Sequence, residues 1–184
     1  MIYGLMDFEL LQKYALSFEN YIDRCKELDV AIIQYRDKIS SFEEVKKNLL
    51  QIRKLWDKTL IINDYIDLVE FVDGVHIGQE DLKKYGSIAN IRDKIARKLL
   101  GLSTHNKDEI LKANQLDIDY IGLGAYRETT TKDVLSIGGK KLENLAKLSI
   151  HPVAMIGGVK LDDEIKNISY KVIGSDICRS ISIQ

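Results

Sequence analysis

The sequence predicts an α/β fold, a compact (β/α)8 TIM barrel, on two observations. Eight short apolar, β-branched runs recur along 184 residues, and most of the stretches between them carry apolar residues at helical spacing. Eight is the number at which a parallel sheet of this kind closes on itself. The strand–helix units average about 23 residues, against ~250 residues for a typical whole barrel, so the expected barrel is small. A doubly wound open sheet uses the same alternation and is the structural rival.

The runs, in order, are Ile2–Met6, Val30–Tyr35, Leu60–Ile62, Gly74–Ile77, Leu99–Ser103, Tyr120–Leu123, Val153–Ile156 and Val172–Cys178. Helical patterns cover Leu10–Leu28, Ile88–Arg97, Lys107–Leu116 and Lys140–Leu148. A further one carries Val45, Leu49, Ile52, Leu55 and Trp56, and Ser41 followed by Glu44 is a capping-box signature at its start. After the eighth run only Arg179 to Gln184 remain. That is short for an ordinary helix, so the expected barrel lacks a full eighth one. A partner chain is one way to cover the gap, which raises the expectation of a homo-oligomer.

Composition bounds the rest. Hydrophobic residues are 45% and charged residues 30% of the chain, the mixture of a globular protein, and the length suits one domain over 1–184. Lys plus Arg total 27 against 28 for Asp plus Glu, which argues against a nucleic-acid binder with its basic excess. The net charge of -1 still permits a local basic pocket for a phosphorylated small molecule. No apolar stretch approaches the ~18 residues of a membrane span. The opening Met1 to Met6 is short for the apolar segment of a signal peptide. Cys25 and Cys178 form neither a disulfide framework nor a metal motif, so a reducing cytoplasm is the expected compartment.

In a parallel barrel, chemistry sits at the C-terminal ends of the strands, and this sequence collects polar residues there. The second run ends in Gln34-Tyr35-Arg36-Asp37-Lys38. Extended backbone points Gln34, Arg36 and Lys38 to one side, and a guanidinium fork beside an ammonium suits a phosphate or pyrophosphate. A solvated strand end with ordinary charges is the plainer alternative. The third run ends in Asn63-Asp64, and the fourth leads to Asp81. Two carboxylates on neighbouring strand ends suit magnesium, which takes one or two of them plus substrate oxygens and water. Asp64 also has a plainer alternative, as the cap of a following helix.

The fifth run ends in Ser103-Thr104-His105. No nucleophile elbow accompanies it, so Ser103 reads as a donor to a phosphate oxygen and His105 as a helix-start residue. His76 is ambiguous between a packed histidine and a site residue. After the sixth run, Thr129, Thr130, Thr131 and Lys132 form an oxyanion-friendly cluster. The seventh ends in Gly157-Gly158, whose backbone N–H groups can approach a phosphate closely, although such a pair also marks an ordinary turn.

These residues, in this order, resemble the thiamine phosphate synthase family over nearly the whole chain, from Tyr3 to about Ile181. The stretch Asp73-Gly74-Val75-His76-Ile77-Gly78-Gln79-Glu80-Asp81 is the most specific part. The resemblance implies a barrel enzyme that couples 4-amino-2-methyl-5-hydroxymethylpyrimidine diphosphate to 4-methyl-5-hydroxyethylthiazole phosphate and releases pyrophosphate. It implies that Arg36, Lys38, Asn63, Ser103 and Lys132 hold the pyrophosphate, that Asp64 and Asp81 hold Mg2+, and that Gln34 contacts the pyrimidine. Thr129, Thr131 and the Gly158 backbone would face the thiazole phosphate. Where the family has a proline and an apolar pair after Gly124, this chain has Ala125-Tyr126-Arg127-Glu128. Where it has an apolar–Ser pair at the end of strand eight, this chain places Cys178 and Arg179, and Arg179 would either substitute for the usual phosphate donors or mark a different second substrate.

Three other functions fit parts of the pattern. The related thiazole tautomerase branch shares the barrel, and His105 would serve it as a proton shuttle. That branch tends to lose the basic motif and the metal-binding aspartate, whereas Arg36, Lys38, Asp64 and Asp81 are all present here. A degenerate paralogue would bind thiamine precursors without turnover. A barrel acting on another sugar phosphate fits the fold but not the Asp73–Asp81 stretch.

Overall fold

Eight parallel strands close on one another in strict chain order in the computed structural model, which describes residues 1–127 and 138–182. They are β1 (Ile2–Asp7), β2 (Ile32–Arg36), β3 (Thr59–Asn63), β4 (Gly74–Ile77), β5 (Leu99–Thr104), β6 (Tyr120–Leu123), β7 (Val153–Met155) and β8 (Tyr170–Ile173). Pairing of β1 with both β2 and β8 completes the ring, which disposes of the open-sheet rival and leaves no strand edge to template aggregation. The bounds of β4 and β6 match the predicted runs.

Between the strands lie α1 (Phe8–Lys13), α2 (Phe18–Glu27), α3 (Phe42–Leu55), α4 (Gln79–Tyr85), α5 (Ile88–Ile95), α6 (Lys107–Ala113) and α7 (Lys141–Ala146), and α8 (Ser175–Ser182) follows the last strand. A 3-10 turn at Ile66–Phe71 connects β3 to β4. The capping box read at Ser41 and Glu44 opens α3: each residue's backbone N–H donates to the other's side chain. Along α3, Val45, Leu49 and Ile52 recur on one face and are fully buried, each contributing roughly 1.5–3 kcal/mol of transfer free energy. The alternation of strand side chains then separates two cores. One lies between sheet and helices, around Trp56, Leu60, Ile91 and Ile110. The other fills the lumen with Tyr3, Leu5, Ile32, Ile61, Tyr120 and Val172.

Two expected elements differ. The predicted helix over Leu10–Leu28 is two helices, because the backbone at Ala15 turns to φ 51° and Ser17 caps a fresh start at α2 with Asn20. The eighth run ends at Ile173 rather than Cys178, and the helix expected to be missing is present as α8. It begins two residues after β8 and packs on α2, where the Arg24 Nε donates to the Ser180 Oγ at 3.0 Å. Ile177 and Cys178 turn inward. No described helix is long and apolar enough to cross a membrane.

Candidate active site

The parity that puts Leu5 and Ile32 in the lumen carries Asp7, Gln34 and Arg36 up the same inner face toward the strand ends. The Arg36 guanidinium donates to the Asp7 carboxylate, which is 1% exposed and also accepts the Leu10 N–H at the start of α1. Asp37 points the other way and is buried. It accepts the Tyr35 hydroxyl at 2.8 Å and the N–H groups of Ile39 and Ser40. Those bonds tie the turn that presents Lys38, whose ammonium donates to the Asp64 carboxylate. Gln34 and Arg36 thus find their partners on β1, and Lys38 finds its partner just beyond the end of β3.

Asp64 follows half-buried Asn63 at the end of β3 and sits at φ 65°. It caps nothing: the residue before the 3-10 turn is Tyr65, which makes no side-chain cap. Asp81, in the first turn of α4, accepts the Gly78 N–H at 3.0 Å. Burial pushes its carboxyl above the usual range, and the neighbouring Asp64 carboxylate adds to the rise against the opposing Gly78 N–H and Lys38. Two converging carboxylates are the donor set magnesium accepts when substrate oxygens complete its shell. Among the described residues, no group of three or more His, Cys, Asp and Glu forms a self-sufficient metal cage. The pair therefore fits an ion shared with a phosphorylated ligand better than a resident structural metal.

Below this rim the lumen holds a chain of side chains that the sequence did not disclose. Gln34 Nε2 donates to the Tyr3 hydroxyl at 2.7 Å. The Tyr3 and Tyr120 hydroxyls lie 2.9 Å apart. Tyr120 meets His76 Nδ1 at 3.0 Å, and His76 Nε2 meets Ser103 Oγ at 2.9 Å. His76 is therefore a buried, hydrogen-bonded histidine beneath the site. The Ser103 carbonyl accepts from Gln79 Nε2 at 2.6 Å. His105 bonds Glu109 through its N–H and its Nδ1, as a helix-start residue does.

At the opposite side of the rim, Gly157 and Gly158 adopt φ 91° and 64°. A Cβ at Gly157 would stand 2.6 Å from the Ala125 Cβ, so the paired glycines are required by the backbone itself. Arg127, the unexpected charge after β6, stitches this loop down. Its N–H donates to the Gly157 carbonyl at 2.8 Å, and its guanidinium to the Gly158 carbonyl at 3.0 Å and to Asp163. Thr129, Thr131 and Lys132 lie outside the described residues.

The late strand end requires a correction. Cys178 is fully buried in the core on the inner face of α8, so it cannot touch a substrate at the rim. Arg179 lies one turn into α8, and its guanidinium donates to the Ser175 hydroxyl and carbonyl. Cys178 leaves the rim because β8 ends at Ile173 and the chain turns into α8, whereas the Arg179 side chain reaches back to Ser175 at the start of that helix. The residues missed were Asp7, Tyr3 and Tyr120. Asp7 follows an apolar run directly, so the strand-end rule applied to β2 and β3 also selects it.

The structure defines a closed parallel (β/α)8 barrel with two carboxylates, a lysine, an arginine and a serine gathered toward its strand ends, where barrel enzymes carry their chemistry. The family model described as thiamine monophosphate synthase matches residues 11–180, and the chain belongs to that family. A thiamine-phosphate synthase of Caldicellulosiruptor bescii is 41% identical over 138 residues, 71% of this chain and 62% of that protein's own length. One of Persephonella marina is 34% identical over 166 residues, covering 86% of this chain and 76% of the relative. Among solved structures, the thiamine phosphate pyrophosphorylase of Pyrococcus furiosus superposes with a TM-score of 0.77 at 19% identity. The match covers 99% of this chain and 95% of that one, and shows the fold.

Proposed function

We propose that this chain is a transferase that joins hydroxymethylpyrimidine diphosphate to hydroxyethylthiazole phosphate, releasing pyrophosphate and forming thiamine phosphate. One observation carries the reading beyond family membership: Lys38, Asp64 and Asp81 converge at the rim that Arg36 and Ser103 also reach. That is a preorganised binding surface for a polyanion and a divalent cation. The bond that breaks joins the pyrimidine methylene carbon to the diphosphate oxygen, and its electron pair leaves with pyrophosphate. The thiazole nitrogen then gives its lone pair to the methylene cation.

Arg36 and Lys38 meet the departing charge with cations already oriented by Asp7 and Asp64, so little reorganisation accompanies bond breaking. Ser103 and Asn63 add donors, and Lys132 acts with them. Gln34 contacts the pyrimidine, while Thr129, Thr131 and the Gly158 backbone take the thiazole phosphate. Asp64 and Asp81 would hold Mg2+, which supplies further neutralisation of the pyrophosphate oxygens. Cys25 and Cys178, both buried and neither in a disulfide, support a cytoplasmic setting.

The test is turnover of purified protein with both substrates and magnesium, following thiamine phosphate by fluorescence after oxidation. Product that disappears with EDTA and in Asp64→Ala is the expected result. No product, with the pyrimidine diphosphate still bound, overturns the transferase reading in favour of a binding paralogue.

A further inference from the structure

Five polar side chains from five strands form one continuous line through the lumen: Gln34, Tyr3, Tyr120, His76 and Ser103. Such a chain has two self-consistent proton orders. In one, Gln34 donates to Tyr3, Tyr3 to Tyr120, Tyr120 to His76 Nδ1, and the His76 Nε2–H to Ser103. The Ser103 hydroxyl proton is then left for a ligand. In the other, Ser103 gives its proton to His76 and every bond reverses, ending on the Gln34 carbonyl oxygen. The reversed order presents lone pairs to whatever lies at the rim and makes Ser103 the partner of a base, as in a nucleophilic pair.

We propose that the chain runs from Gln34 to Ser103, and that Tyr3, Tyr120 and His76 are positioning residues that aim the Ser103 proton at an anionic ligand oxygen. The Gln34 amide donates at the head of the line. Each tyrosine has one proton to pass on, since burial pushes both phenols well above their ordinary range. The lumen is shaped for these contacts. A Cβ at Gly101 would stand 2.4 Å from the Tyr120 hydroxyl and 2.5 Å from His76 Nδ1, and one at Gly122 would stand 3.0 Å from His76 Cε1. Glycines inside strands mark such close approaches. With His76 fixed as a donor, Ser103 binds charge and does not attack. The inference rests on the proposed function for the ligand at Ser103, an oxygen of pyrophosphate. It also couples the two ends of one substrate, because Gln34 and Ser103 share a hydrogen-bond line.

The test reads the His76 ring directly by nitrogen-15 NMR, in the free protein and with magnesium and inorganic pyrophosphate. The expected ring is neutral and carries its proton on Nε2 in both. Tyr3→Phe keeps the ring packing and removes the link. It is expected to give mixed His76 tautomers and about tenfold weaker pyrophosphate binding, the scale of one hydrogen bond. Tyr120→Phe should act alike, and it serves if Tyr3→Phe does not fold. An Nδ1–H or doubly protonated ring in the free protein overturns the inference. So does unchanged pyrophosphate affinity in the folded variants. Wild-type protein that fails to bind pyrophosphate, with the Nε2–H ring in place, overturns the reading of the site and leaves the proton order standing.

Discussion

Arg36 and Asp7 form an ion pair between the tips of adjacent strands, and the same carboxylate starts α1 by accepting the Leu10 N–H at 3.1 Å. One buried aspartate thus fixes a helix and aims the arginine that the proposed reaction uses to receive negative charge. Removing Arg36 alone strands that carboxylate, which has 2% of its side chain exposed. Breaking a buried pair from one side costs ~3–5 kcal/mol. Arg36→Ala is therefore expected to lower the melting temperature as well as turnover. Asn also caps helices well, so the double variant Arg36→Ala with Asp7→Asn should recover most of the stability and none of the activity. Recovery of turnover in the double variant would remove Arg36 from the reaction.

Lys38 acts from a less buried position, on a turn held by Asp37. Lys38→Ala is expected to lower kcat by ~10²–10³, the loss typical of one preorganised donor to a developing charge. Steady-state kinetics at saturating magnesium measure it, and a wild-type kcat would exclude Lys38 from the site.

The carboxylate pair sets function against stability. The Asp81 carboxyl is raised by burial and then by Asp64, so its ionised form opposes folding as pH climbs above the ordinary carboxylate range. In metal-free protein at neutral pH, Asp81→Asn should raise the melting temperature while abolishing magnesium-dependent turnover. Magnesium should in turn stabilise the wild type more than the variant in thermal melts. An Asp81→Asn protein less stable than wild type without metal would contradict this account.

At the far rim, the Arg127 hydrogen bond holds the Asp163 carboxyl below its usual range. A depressed carboxylate contributes stability above its unfolded value, ~3.9, and loses it as pH falls through the lower folded value. Urea midpoints of wild type and Asp163→Asn should therefore differ at pH 7 and converge in acid. A gap that persists at the lowest pH would mean the pair acts through packing.

Gly101 leaves room for the Tyr120–His76 contact. Gly101→Ala pushes a methyl into Tyr120 and is expected to cost ~1–3 kcal/mol, the usual range for overpacking. Denaturant unfolding reads the loss, and a neutral result would show that Tyr120 has another place to go.

Strand positions and the basic strand-two motif were open to sequence reasoning, because both rest on local periodicity. The misread pieces are also local. Tyr14, Ala15 and Leu16 continue a helical pattern, and only the positive φ at Ala15 breaks it. Ile177 and Cys178 extend a β-branched run, although Ser175 and Asp176 are helix-start residues. The partnerships of Tyr3, Tyr120 and His76 are a different matter. They join β1, β6 and β4 across the lumen, and no spacing along the chain encodes which residues meet there. The in-strand glycines at positions 101 and 122 were the available signal.

The Tyr3–Tyr120 contact joins strands that are not neighbours in the sheet. Neither a half-barrel nor a chain with β1 still detached can hold the line from Gln34 to Ser103. Each intermediate short of ring closure lacks the aimed serine, even with its local helices complete. The aim of that serine is thus a property of the closed ring, because no pair of neighbouring strands contains both tyrosines.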